Sequence, residues 1–336
     1  MTDFLWPTSL VPARSEVKLL DLATRFRSPF TGTSRTYARP GGDVLSMSMQ
    51  MPPLKDAKRA ALTAFLASLR GGVHRVWCQD HSYVRRGSFP AVELLANNTF
   101  ASGTTGWTGG SKFTRTVADR VLRITCVDAS AAESVAYPTA ALTFVSGATY
   151  ALRSATYSAR GALQRRMRSD STPGGGSWGS GTYSAADGAS TLLVTAGGTS
   201  GYISVAASNT GAFVDDAFDL PWISVARCAL VKGASQTGTK LIIDQLPAST
   251  NGLLLAGDRV QIGEELLTVI APLDSNSSGE GTLILHRPLR SAPADNAPVI
   301  IHEPMGLFML AEQENGWLND PGRVSSATVN LIEAIR

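Results

Sequence analysis

Between Glu93 and Ala226 this chain changes texture, and that change constrains its fold more than any single motif. The stretch is rich in Ser, Thr, Ala and Gly, with one lysine, Lys112, and no histidine. It opens on Leu94-Leu95-Ala96-Asn97-Asn98-Thr99-Phe100, passes Gly106-Trp107, and closes on Phe213-Val214-Asp215-Asp216-Ala217-Phe218. The flanks carry charged turns, all four histidines and a clear amphipathic helix pattern. A self-contained guest set into a host domain accounts for the contrast.

The 336 residues suffice for two or three cores. A hydrophobic share of 43% against 17% charged residues describes a folded chain. The net charge of +3 is small and scattered, which argues against nucleic-acid specificity. The densest basic run, Arg165-Arg166-Met167-Arg168, reads as a solvated face. Cys78, Cys126 and Cys228 lie too far apart in sequence for a disulfide framework, so a reduced protein assembled in the cytoplasm is expected. The N-terminus shows no signal-peptide pattern and no window is apolar enough to span a bilayer.

The periodicities are mostly those of strands. In Val44–Met51, Leu45, Met47, Met49 and Met51 alternate with Ser46, Ser48 and Gln50, and Pro52-Pro53 ends the run. Residues 54–70 are a predicted helix, with Leu62, Phe65, Leu66 and Leu69 on one stripe and Gly71-Gly72 as its stop. The insert holds many short apolar runs between Gly, Ser and Asn clusters, the signature of a jelly roll or sandwich. Within it, Ser171–Gly181 reads as a flexible loop or hairpin tip carrying Trp178. Residues 227–303 read as a small β-barrel, and Ser325–Ile335 as a closing strand. A lone strand needs partners. Residues 1–92 and 304–336 are therefore expected to close one sheet system, with 93–226 and 227–303 as modules grown from it. The fold class is mainly β: a split sandwich or barrel host with one helix, an inserted jelly roll and a small barrel.

The host pattern resembles the distal tail protein family of long-tailed bacteriophages. The resemblance rests on Ser46-Met47-Ser48-Met49-Gln50-Met51, the helix Ala57–Leu69 and Val73-His74-Arg75-Val76-Trp77. It continues in Leu255-Ala256-Gly257-Asp258-Arg259-Val260-Gln261-Ile262-Gly263, His286-Arg287-Pro288-Leu289-Arg290 and Ala327-Thr328-Val329-Asn330-Leu331-Ile332-Glu333. It implies a virion protein of the tail tip, not an enzyme. Its partners would be itself in a six-fold ring, the tail tube protein and the tail hub proteins. Met47, Met49, Met51, Val329 and Leu331 would lie on the ring-forming strands. The insert resembles carbohydrate-binding modules through Asn97-Asn98-Thr99-Phe100, Gly106-Trp107 and Val214-Asp215-Asp216-Ala217, which implies host-surface polysaccharide as a further partner. In such modules an acidic residue near Asp215 and Asp216 can hold a structural calcium, the one cofactor the insert suggests. Thr99 departs from the pattern.

Aromatic faces suit the apolar faces of sugar rings. Trp178, Tyr183, Tyr157 and Trp107 are the candidates for glycan contact, with Tyr150 and Tyr202 as further aromatics. Cys78, Asp80 and His81, with His74 upstream, lack the second ligand pair that zinc needs and read as a buried cysteine and a turn. Without histidine the insert cannot build a Ser-His-Asp triad, and nothing in sequence pairs its carboxylates as a glycosidase requires. The alternatives are a stand-alone carbohydrate-binding or depolymerase protein, or a tail-completion protein without a receptor role.

Overall fold

The computed structural model describes residues 3–20, 23–27, 29–38, 43–128, 134–158, 163–169, 176–182, 188–207, 217–312, 318–319 and 324–334. The fold is mainly β with one α-helix among the described residues, as the periodicities indicate. The chain forms two compact units. One joins Leu10–Phe89 to Ala229–Arg336, and the other joins Thr2–Ser9 to Pro90–Cys228.

In the host unit the strands run in the order Arg75–Gln79, Met305–Leu310, Thr328–Glu333, Val44–Gln50, Arg14–Leu20. The two strands expected to need partners pair with each other, Met49 opposite Val329 and Met47 opposite Leu331. Ser48 Oγ donates to Asn330 Oδ1 at 2.8 Å across the same ladder. Alternation sets the burial: Met47, Met49, Val329 and Leu331 face inward and are buried. Met51, also buried, donates its N–H to Ala327 O at 2.9 Å. Both strands have strands of the same chain on either side. Pairing between copies through this sheet would therefore run along Arg14–Leu20, which lies at its edge, and not along the two strands named from the sequence.

The sheet curls strongly. Two strands separate Cys78 from Met47 and Met49, a span of roughly 14 Å in a flat sheet. Yet Cys78 Sγ lies 3.8 Å from Met47 Sδ and 3.9 Å from Met49 Sδ. The helix Asp56–Ser68 buries Leu62 and Leu66, followed by Leu69. It ends at Gly71 and Gly72, both with positive φ. A Cβ on Gly72 would stand 3.1 Å from Leu310 O, so this stop also sets the close approach to the sheet.

Residues 229–300 form a second sheet in the order Glu265–Thr268, Arg259–Ile262, Pro298–Ile300, Ala229–Val231, Lys240–Asp244, Gly281–Ile284. A bridge between Val269 and Leu285 joins its two ends and closes it as a barrel. Two buried polar centres tie this barrel to the rest of the host. The Asp258 carboxylate accepts from the N–H groups of Arg86 (2.9 Å), Gly87 (2.9 Å) and Leu255 (2.8 Å) and from Tyr83 Oη (3.3 Å). Burial pushes the Tyr83 hydroxyl up to about 12. The second centre is ionic. Arg287, wholly buried, donates to Glu265 at 2.6 Å and to Glu333 at 2.6 Å. Arg290 meets Glu333 at 2.9 Å, and Leu45 N donates to the same carboxylate at 3.2 Å. Buried charges are tolerated when paired and hydrogen-bonded in this way.

Candidate functional site

The insert is a two-sheet sandwich. One sheet runs Gly188–Thr195, Thr149–Ser158, Ala217–Arg227, Val121–Cys126, Phe113–Ala118. The other runs Ser177–Thr182, Leu163–Arg168, Ser200–Ala207, Ser134–Pro138, Trp107–Thr108, with Leu142–Thr143 also on Ser200–Ala207. Between them lies one apolar core, including Phe100, Trp107, Leu122, Ile124, Met167, Ile203 and Val205.

The module closes on itself at its entrance. Glu93 Oε1 accepts from Leu95 N at 2.9 Å and from Val225 N at 3.0 Å, binding the first residues to the last strand. Leu94 N donates to Val225 O at 3.0 Å. The opening motif is a plug in the core. Asn97 Nδ2 donates to the carbonyls of Gly103 (2.8 Å) and Thr105 (3.0 Å), and Trp107 Nε1 donates to Asn97 O at 3.1 Å. Phe100 and Trp107 pack with their rings tilted at 52° and their centroids 5.4 Å apart. Trp107 is thus buried core, with no face open to a ligand.

Trp178 lies on a strand, not in a loop tip. The pairing of Leu163–Arg168 with Ser177–Thr182 shifts register between Met167 and Arg168. At this bulge Trp178 turns toward the end of the core, half-buried. Its ring meets Phe144 edge-on at 5.3 Å, and Phe144 meets Tyr150 in the same way at 5.0 Å. Tyr150 Oη in turn accepts from Val145 N at 2.8 Å. Glycines make the room: a Cβ on Gly201 would lie 2.6 Å from the indole, and one on Gly197 2.9 Å. The Gly and Ser content read as flexibility is here the condition for packing a tryptophan. Tyr157 stands in the strand Thr149–Ser158, its side chain outside the described residues. Tyr183, Asp215 and Asp216 also lie outside the described residues.

The basic run is not a solvated face. Leu163–Arg168 is an inner strand, so alternation sends Arg165 and Met167 inward and Arg166 and Arg168 outward. Met167 is core, and Arg165 and Arg168 are buried. Arg165 Nη1 crosses to the facing sheet, donating to Ser190 O at 2.8 Å and to Leu152 O at 3.3 Å. On the outer side Arg166 pairs in register with Ser180 on one neighbour and Ser204 on the other, and Arg168 pairs with Tyr202. Arg166 and Tyr202 are both half-buried. Ser204 is buried and Ser180 exposed. An aromatic ring, a guanidinium and the Ser180 hydroxyl on adjacent strands, about 5–7 Å apart, can stack on and hydrogen-bond a polyhydroxylated ligand. The period-two alternation of Leu163–Arg168 was the signal for this face, masked by reading the run as charge.

The opposite sheet offers no equivalent among the described residues. There Arg153 stacks over Trp222 at 5.1 Å, both buried, and Asp219 is held by Arg123 through two 2.7 Å hydrogen bonds. With Glu93 bound to backbone and Asp219 to Arg123, two of the insert's acids are committed to structure. Burial holds the Cys228 thiol at about 12.

Among the described residues no three His, Cys, Asp or Glu side chains converge as metal ligands. Cys78 is buried beside the two methionines, its thiol pushed well above the ordinary range by burial. Asp80 binds Arg259 at 2.9 Å and accepts from Ser82. Burial lowers the His81 pKa, with Asp80 opposing. No helix among the described residues is long and apolar enough to cross a membrane.

No family model and no curated protein matches the chain. Among solved structures it is similar to one described as "CBM4 structure and function", at 12% identity over 39% of this chain and 97% of that one, TM-score 0.31. It is also similar to TmCBM61 in complex with β-1,4-galactotriose, at 14% identity over 40% of this chain and 99% of that one, TM-score 0.30. A third is the CBM22-1 xylan-binding domain of Paenibacillus barcinonensis Xyn10C, at 15% identity over 43% of this chain and 97% of that one, TM-score 0.28.

Proposed function

We propose that this chain is a non-catalytic structural subunit of a bacteriophage tail tip, and that its inserted sandwich holds polysaccharide of the host surface. The observation that carries the glycan half is the outer face around Arg166, Ser180 and Tyr202, the one described sheet face of the insert that sets an aromatic beside a hydroxyl and a guanidinium. The tail half rests on the sequence resemblance. It is supported by where the quoted residues meet: Asp258, Arg287, Arg290 and Glu333 are the residues that tie the barrel and the closing strand into the host. A split host with a closed insert suits a ring that carries an outward module.

Two experiments test the reading. Glycan-array binding of the full chain should show a weak polysaccharide ligand, lost in Tyr202→Ala and Arg166→Ala with the fold intact. Avidity on a six-copy ring can multiply a weak site by roughly 10²–10⁴. Sedimentation and electron microscopy should show a six-fold ring. Glycan binding by a chain that stays monomeric would favour a stand-alone binding protein.

A further inference from the structure

The host sheet leaves one edge open, and the residues along it are complementary to themselves. Arg14–Leu20 pairs with Val44–Gln50 along its whole length and has no strand on its other side among the described residues. Half of its N–H and C=O groups therefore point away from the sheet, a template for a further strand. Register sorts the side chains. Ser15, Val17 and Leu19 lie opposite Met49, Met47 and Leu45 on the inward face, and Arg14, Glu16, Lys18 and Leu20 lie on the outward one. The inward row is unfinished at this edge. Met47 and Leu45 are buried, but Val17 is half-buried and Leu19 is 46% exposed. A further strand would bring apolar neighbours to both.

Charge selects what that strand is. Edge strands ordinarily carry charge that keeps a second copy away. Here the sign alternates: Glu16 and Lys18 are both exposed, their charged groups 3.6 Å apart. An antiparallel copy centred on Val17 sets Glu16 opposite Lys18 twice, Val17 opposite Val17, Ser15 opposite Leu19 and Arg14 opposite Leu20. All seven residues of the strand then pair, and inward side chains stay inward. The neighbouring registers that keep the faces fail on charge. One opposes Glu16 to Glu16 and Arg14 to Lys18, and the other opposes Lys18 to Lys18. A shift by a single residue exchanges the two faces. Parallel pairing in register sets every charge beside its like.

We propose that two copies of this chain join edge to edge through Arg14–Leu20, antiparallel about Val17, so that their host sheets run on as one. The contact is two-fold, made by the same strand on both copies. It is β-augmentation in which the added strand is the protein's own. One strand a side is a small interface, so the association is weak and depends on concentration. The inference does not rest on the proposed ring. A two-fold contact cannot build a ring by itself, and between six-fold rings it would join them in pairs.

The test is sedimentation velocity on the full chain across a wide concentration range, with the charges exchanged. Glu16 and Lys18 lie opposite Ser48 and Ser46 within the chain, so the fold is indifferent to the sign of either. The wild type should pair with rising concentration. Glu16→Lys sets lysine against lysine twice, and Lys18→Glu sets glutamate against glutamate. Each should weaken pairing by roughly tenfold or more. An equimolar mixture of the two variants should pair again, as a 1:1 complex, because each edge then meets its opposite charge. The chain carrying both substitutions should pair with itself as the wild type does. Amide hydrogen exchange along Arg14–Leu20 should slow at concentrations where the chain is paired. If rings form, the wild type should hold them in pairs and each single variant should leave single rings. Assembly indifferent to the charge variants, or lost in them and not recovered in the mixture, would overturn the edge contact and leave the ring standing. A wild type monomeric at every concentration would overturn both.

Discussion

The inserted sandwich takes its core from a continuous stretch, Leu95 to Val225, and most of that core is apolar. The host takes its centre from both ends of the chain: Leu45 N donates to Glu333, 288 positions away, and Arg287 binds Glu265 and Glu333. The insert ties its own two ends together, through Glu93 on Val225. The host cannot close until its last strand arrives, and it holds that strand with buried charge. The lesson is that buried charge here serves register. Arg287 has acceptors only when the closing strand places Glu333 opposite it, so a slipped strand leaves charges buried and unpaired.

The largest break in this contrast is expected from Glu333→Ala, which strips Arg287, Arg290 and the Leu45 N–H of a shared acceptor. Removing one partner of a buried ion pair costs roughly 3–5 kcal/mol. Calorimetry on the full chain should show the host transition falling steeply while that of the insert holds. An equal fall in both would mean that the two units do not unfold separately. The converse is Gly201→Val, whose Cβ would meet Arg168 O at 2.4 Å and the Trp178 ring at 2.6 Å. Overpacking of this kind costs roughly 1–3 kcal/mol and should lower the transition of the insert alone.

A pH series sharpens the comparison further. Burial, with Arg287 adding to it, holds the His286 pKa below its ordinary value, and burial does the same for His81. The unfolded chain then takes up protons that the native host refuses. Host stability is full above the ordinary histidine value of about 6.5 and falls as pH drops below it toward the lower native value. The insert has no histidine, so its melting temperature should stay level through the same window. His286→Gln should flatten part of the host's slope. A level host profile in the wild type would show that these histidines are not neutral in the native state. The smallest effect is expected from Arg123→Ala, which removes an exposed pair with Asp219. Exposed pairs contribute little, and the insert's melting temperature should not move measurably.

Much of this arrangement was legible in the residues. The alternation of Leu45, Met47, Met49 and Met51 is the burial pattern found, and the helix stripe through Leu62 and Leu66 packs as read. Three strands of the insert were not legible. Phe113–Ala118 lies between glycine clusters, Leu163–Arg168 has the composition of a charged face, and Ser177–Thr182 falls largely in a stretch that reads as a flexible loop or hairpin tip. Strand preference depends on what a strand packs against more than on its own residues. Gly179 belongs in a strand because Val194 lies where its Cβ would be, at 2.9 Å.

By itself the sequence determined the class of fold and the two lone strands that had to find partners. These follow from periodicity and composition, which are local. Only the tertiary structure decided that Trp178 packs inward, that Arg165 and Arg168 are buried, and that Glu333 is the acceptor shared by two arginines. Each of those outcomes depends on which strand lies beside which, and a single shift of register exchanges the two faces of a strand. Local pattern carries no record of its partner. Pairing between positions as distant as Met47 and Leu331 is settled by the folded chain alone.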